Sequence, residues 1–208
     1  MSDRKALLIV GSPRGIGHST SDRLGSKILD VLQTHGFSVD KLHAHAAAAS
    51  SKELDAALTA IEAADTVILS APLYVDSFPA PVIALLEQIA QRQVGAGKAR
   101  LCALVQSGFP EKEQSATALS IAEQFAREAG WTWLGGIALG AAEWQHKGAG
   151  TALALAADAV AAGETIRPLP LRKTMPAWLY RLGGNVMWRL AAWKYRATRS
   201  LRARPYER

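Results

Sequence analysis

The stretch ALLIVGSPRGIGHSTS, residues 6–21, decides how the chain is read. Its first five residues are continuously apolar and end at a glycine. A run of that kind reads as a strand buried on both faces, as in a parallel sheet. The loop at 11–21 leads straight into helical spacing: Leu24, Ile28, Leu29 and Leu32 share one face of a helix over 21–35, which Gly36 can end. The loop carries three glycines, Arg14 and the hydroxyls of Ser12, Ser19, Thr20 and Ser21. Glycines let the backbone come close to a ligand, and a helix N-terminus offers free N–H groups and partial positive charge. Together they describe a site for a phosphate monoester. An ordinary βα loop with Ser19 or Thr20 as helix cap fits the same residues and stays open. His18 is expected in solvent.

Three better-known loops are excluded. Pro13 and Ile16 break the dinucleotide fingerprint, and His18 stands where the triphosphate loop needs lysine. Ser21 stands where the hydrolase elbow needs glycine. No acidic residue in the loop suggests a magnesium site.

Outward from this unit the pattern repeats. Residues 66–71 (TVILSA) and 101–106 (LCALVQ) are two further buried strands. Residues 37–42 alternate and read as an edge strand, and 131–139 form a fifth strand with a glycine break. Helices are expected over 52–64, 81–92, 114–129 and 151–162, with a loop or frayed helix start at 44–49. Five successive β-α units predict a doubly wound parallel α/β sheet with helices on both faces. Ligands of such sheets sit beyond the carboxyl ends of the strands.

The loop after the third strand is SAPLYVDSFPAP, residues 70–81. Three prolines stiffen it, and Tyr74 and Phe78 supply flat surfaces. A planar heterocycle needs rigid apolar walls and a few polar groups at its edge, which the backbone around 74–77 can give. A bland alternative is that Tyr74 and Phe78 plug the end of the sheet.

With GSPR…GHSTS after strand one and this loop after strand three, residues 5–165 resemble the NAD(P)H-dependent FMN reductase family of the flavodoxin-like superfamily. The resemblance implies a five-stranded sheet of order 2-1-3-4-5. It implies that Ser12, Arg14, Ser19, Thr20 and Ser21 hold the FMN phosphate. Pro72, Leu73, Tyr74, Val75 and Asp76 would line the isoalloxazine, and Ser107, Gly108, Phe109 and Glu111 would complete the pocket. The chain departs from many relatives at His18, Ile83 and Glu87, where asparagine, lysine and aspartate are common.

The implied activity is hydride transfer from NADH or NADPH through bound FMN to a small-molecule electron acceptor such as a quinone or free flavin. The flavin supplies the chemistry, so no catalytic side chain is assigned. Alternatives are a non-catalytic electron carrier or flavin-binding protein of the same fold, and a member that has lost its cofactor. Flavodoxins proper are strongly acidic on the flavin side, whereas residues 1–166 carry 13 Lys+Arg against 17 Asp+Glu, or −4.

The single cysteine, Cys102, excludes an internal disulfide framework and a cysteine-ligated cluster, and reads as a small core residue. The apolar run 6–10 is shorter than the ~7–15 residues of an export-signal core, so the cytoplasm is the expected location. Residues 167–208 are of a different kind, with 11 Lys+Arg against 1 Asp+Glu, or +10. The domain boundary is drawn at 167/168, where a proline-containing linker begins. Residues 177–196 have helical spacing, with Trp178, Leu182, Val186, Leu190 and Trp193 on one face and Gly183-Gly184 interrupting it. This tail packs on its own domain or a second subunit of a homodimer, or lies on an anionic membrane. Nucleic acid is the least favoured partner, because basic residues alone are weak evidence for it.

Overall fold

The computed structural model describes residues 4–109, 111–140, 149–167 and 176–203, apart from the side chains of Ala177 and Arg202. The chain divides into two compact units, Met1–Arg172 and Lys173–Arg208. Part of the expected linker, 168–175, lies outside the described residues.

In the first unit the apolar runs are strands: β1 (Lys5–Val10), β2 (Ser38–His43), β3 (Thr66–Pro72), β4 (Arg100–Gln106) and β5 (Thr132–Leu139). All pair in parallel, in the order β2-β1-β3-β4-β5. Between them run α1 (Thr20–Thr34), the short α2 (Ala44–Ala47), α3 (Ser51–Glu62), α4 (Ala80–Gln91) and α5 (Ala116–Glu128), with α6 (Ala149–Ala162) after β5. Strand residues alternate between two cores. Leu7, Ile9, Val67, Leu69 and Leu101 pack with α3, α4 and α5. Leu8, Val10, Ile68, Cys102 and Leu104 pack with α1 and α6. This two-sided burial explains why the inner strands read as unbroken apolar runs. Burial pushes the Cys102 thiol up to about 12, so it stays protonated and inert.

Three expectations shift in detail. The fifth helix is preceded by a tight 3₁₀ turn at Lys112–Ser115, so α5 starts two residues later than spacing suggested. The alanine stretch yields one helical turn, α2. Trp131 precedes β5 and is a core side chain: its ring meets Phe125 edge-on and its Nε1–H donates to Val94 O. The glycine break within β5 is a bulge, which places Gly135 opposite Cys102 with φ 119°. Only glycine takes that conformation readily.

In the second unit α7 (Ala177–Lys194) runs through Gly183-Gly184 without a break and is followed by a 3₁₀ turn, Thr198–Arg202. Among the described residues no helix is long and apolar enough to cross a membrane.

Candidate functional site

The loops after β1, β3 and β4 meet at the carboxyl edge of the sheet around an open cleft of about 220 Å³. Ser12, Pro13, Arg14, Thr20 and Ser21 form one wall. Pro72, Leu73 and Tyr74 form a second, and Gln106, Ser107 and Gly108 a third.

The first wall is fixed by hydrogen bonds. Ser19 caps α1, its Oγ accepting from Asp22 N at 3.1 Å. The Asp22 carboxylate turns back and accepts from Gly17 N at 2.8 Å and from Lys41 Nζ at 2.9 Å. Gly17 has φ 87°, which this turn requires. Burial alone would raise the Asp22 pKa, but the Lys41 and Gly17 bonds outweigh it and hold the carboxyl below its ordinary 3.8. Lys41 neutralises Asp22, so the charge facing the cleft from this wall is that of Arg14. Arg14 is exposed and has no carboxylate partner among the described residues. Helix geometry leaves the first N–H groups of α1 without intrahelical acceptors. Ser19 takes that of Asp22, while Thr20 and Ser21 line the cleft.

Two histidines support this wall from β2 and α2. His43 Nε2 lies 2.8 Å from Ser12 O. His45 stacks on His43 with ring centroids 5.5 Å apart. Burial, and then the neighbouring His43, lower the His45 pKa below its ordinary 6.5, against a raising bond to the Gly11 backbone. Gly11 itself does not open the loop to a ligand, as its residue type suggested. A Cβ there would stand 2.6 Å from Ala71 Cβ and 2.8 Å from Val82 Cγ2, so Gly11 permits β1 to lie close to β3 and α4.

The second wall is held by shape. Leu73 N donates to Gln106 O at 2.8 Å, which ties the loop to β4. Tyr74 and Ser77 then exchange both backbone hydrogen bonds, at 2.8 and 3.0 Å, around a two-residue turn. Val75 and Asp76 in that turn have φ 50° and 60°. Positive φ at both central residues is the primed hairpin turn, which favours Asn-Gly and disfavours a β-branched residue. Val75 is 99% exposed, so no packing offsets the strain. Phe78 is buried against the core, as the sheet-plug reading expected, whereas Tyr74 is 48% exposed at the cleft.

The third wall adds a group that the sequence did not signal. Gln106 is 5% exposed, and its side-chain amide donates to Ser21 Oγ. Its Oε1 is buried without a partner among the described residues. Ser70 Oγ donates to Ser21 O at 2.8 Å, so Ser21 is gripped from β3 and β4 together. Because Ser21 Oγ accepts from Gln106, its own proton remains to be donated. Ser107 Oγ donates to Phe109 O at 3.0 Å and shapes the turn.

Of the residues assigned from sequence, the fold thus brings nine to the cleft: Ser12, Arg14, Thr20, Ser21, Pro72, Leu73, Tyr74, Ser107 and Gly108. Four do not line it. Ser19 is spent as the helix cap, Val75 and Asp76 sit on the outer turn, and Phe109 is exposed beyond Gly108. Glu111 stands just before the 3₁₀ turn and is also off the wall. Pro13 and Gln106 were missed, as were the supports Asp22, His43 and His45.

A doubly wound parallel sheet with a cationic, hydroxyl-rich first loop and an aromatic third loop defines an α/β protein whose candidate site is the cleft at the strands' carboxyl edge. Residues 4–160 match the family model described as flavodoxin-like fold, and the chain belongs to that family. The FMN reductase resemblance drawn from the loops falls within it. No curated protein matches the sequence. Among solved structures, an NADH:FMN oxidoreductase in its apo form superposes with a TM-score of 0.62 at 19% identity, covering 79% of this chain and 92% of that one. A flavodoxin from Streptococcus pneumoniae superposes at 0.58 with 14% identity, covering 76% and 98%. An azoreductase from Bacillus anthracis superposes at 0.54 with 15% identity, covering 77% and 98%. At these identities the likeness is one of fold.

Proposed function

We propose that the cleft binds FMN and that the protein is an NAD(P)H-dependent oxidoreductase acting on a small acceptor. The observation that carries the reading is the donor set of the first wall. Arg14, the hydroxyl-bearing Ser12, Thr20 and Ser21 and the N-terminus of α1 make up this wall, and among the described residues no carboxylate lines the cleft. That set matches a phosphate dianion. Gln106 Oε1, which has no partner among the described residues, is a buried acceptor beside this wall that a ligand hydroxyl or N–H would satisfy. Pro72, Leu73 and Tyr74 offer the flat, apolar side that a ring system needs.

When bound, FMN supplies the redox chemistry, taking hydride from a reduced nicotinamide and giving electrons to the acceptor. The chain's own residues bind and orient. Arg14 and the α1 N-terminus neutralise the phosphate, Ser21 donates one fixed hydrogen bond, and Tyr74 flanks the ring. The cleft is open, which suits donor and acceptor taking turns at one face. Reduced nicotinamide as donor accords with a cytoplasmic site of action.

Titration of the purified protein with FMN should quench flavin fluorescence, with saturation by tens of micromolar. Anaerobic addition of NADH or NADPH should then bleach the flavin absorbance. No uptake of FMN would end this reading. A flavin that stays oxidised with both nucleotides, yet accepts electrons from a reductase, would make the protein a carrier instead.

A further inference from the structure

We infer that α7 is a docking surface for an anionic lipid membrane, with the helix lying in the plane of the interface. At 100° per residue, Trp178, Leu179, Leu182, Val186, Leu190 and Trp193 fall within a sector of about 120°. All six are exposed, Trp178 and Trp193 at 66% and 75%. Arg189 lies about 20° inside one edge of the sector, Arg181 about 60° outside that edge and Lys194 about 40° outside the other, and Arg196 and Arg199 continue the charge beyond the helix. An aliphatic strip with a tryptophan near each end and cations to either side of its edges is the pattern that seats a helix at the headgroup boundary.

Charge selects this occupant over others. The tail carries 11 Lys+Arg against 1 Asp+Glu. Two such tails repel, so a second copy of the helix is a poor cover, whereas an anionic leaflet attracts each cation. A nucleic acid would engage the arginines but leave Leu182, Val186 and Leu190 in water. Three cations within the 18 residues of α7 rule against crossing the bilayer. The inference holds whatever the cleft binds.

The test uses the full-length protein and vesicles of phosphatidylcholine with or without about a third phosphatidylglycerol. At low salt the protein should sediment with the anionic vesicles at least ten-fold more strongly than with neutral ones, and should detach as salt approaches about 0.5 M. Tryptophan emission should shift to the blue and be quenched by brominated lipid, readouts that need no variant. Each neutralised cation should weaken partition about five-fold, so R181Q/R189Q/K194Q together should cost about a hundred-fold. Trp178→Ser with Trp193→Ser should abolish the blue shift. FMN uptake and the urea midpoint of the body should be unchanged in both variants, which separates lipid docking from folding and from the flavin reading. Equal binding to neutral vesicles, no binding to either, or binding to duplex nucleic acid with none to vesicles would overturn the inference. So would a dimer in light scattering that the tryptophan substitutions dissociate while vesicles stay unbound.

Discussion

The loop after β1 has its backbone tied down at every turn: Ser19 to Asp22, Asp22 to Gly17, His43 to Ser12, Ser70 to the carbonyl of Ser21. The loop after β3 makes almost no side-chain hydrogen bonds among the described residues and is stiffened by Pro72, Pro79 and Pro81, with a strained turn at its tip. The difference fits the two halves of a phosphorylated ring ligand. A phosphate is recognised by donors at fixed positions, so its loop must be immobilised in detail. A ring is recognised by a surface, which prolines and one aromatic side chain provide without directional bonds. Strain on the second side is tolerable because the turn is exposed and its neighbours hold it.

The sharpest way to break this contrast is at Asp22. Asp22→Ala leaves Gly17 N without its acceptor and Lys41 without its anion. The site is buried on the aspartate side and one-third exposed on the lysine side. Loss of a buried carboxylate with several hydrogen bonds costs about 2–4 kcal/mol. Urea unfolding of the apo-protein should show that loss, and FMN affinity should fall with it because the loop loosens. An unchanged midpoint would mean the loop is not held as described.

Arg14 and Ser19 sharpen the contrast within one wall. Arg14→Ala should weaken FMN binding by about 2 kcal/mol, or roughly thirty-fold, with the urea midpoint unmoved, since Arg14 is exposed and its proposed role is a charge-assisted contact with the ligand phosphate. Ser19→Ala should do the reverse: about 1 kcal/mol lost from stability as the helix cap goes, and little direct effect on affinity. If Ser19→Ala proves the stronger binding defect, the hydroxyl is a ligand contact after all.

On the other wall the expected sign is opposite. Val75→Asn with Asp76→Gly installs the residues that the primed turn favours at positive φ. Removing strain of about 1–3 kcal/mol, less the entropy that glycine adds to the unfolded chain, should raise stability by about 1 kcal/mol. Thermal unfolding measures it. A fall in stability would show that the Val75 side chain is held by something other than the turn.

These residues also mark how far the sequence could be read. The five parallel strands followed from apolar runs and short connections, which are local signals, whereas their order came from the family resemblance. The first loop was legible because glycine, hydroxyl and arginine lie within eleven residues. Gln106 was not, because its meaning lies in Ser21, 85 positions away. The His43 contact with Ser12 spans 31 positions, and nothing in the DKLHAH segment indicates it. Val75 and Asp76 were placed at the ring by the family resemblance, not by their own residue types. Their outward turn defies the local rule that would have predicted it, since valine is a poor residue at positive φ. Gly11 was misread for a related reason: a glycine that serves packing against Ala71 and one that serves a ligand look alike in sequence.

The smallest effect expected concerns pH. His45 is held neutral by burial and by its neighbour His43, with its pKa below the ordinary 6.5. The unfolded chain therefore takes up this proton first as pH falls. The stability contributed by neutral His45 is fully present above about 6.5 and is lost as pH drops through the lower folded value. Asp22 acts in a separate, more acidic window: its depressed pKa gives stability present above its ordinary 3.8 and lost as pH falls through the folded value. Urea midpoints from neutral pH downward should thus decline in two stages. His45→Phe, which keeps a flat ring against His43, should remove the upper stage and leave the lower one. If the upper stage persists in that variant, another group supplies it and the first loop is not braced by a neutral His45. If His45→Phe removes both stages, the unfolding is not reporting on these two groups separately. The contrast between the loops would then rest on the Asp22, Ser19 and Val75 variants alone, which need no titration to interpret.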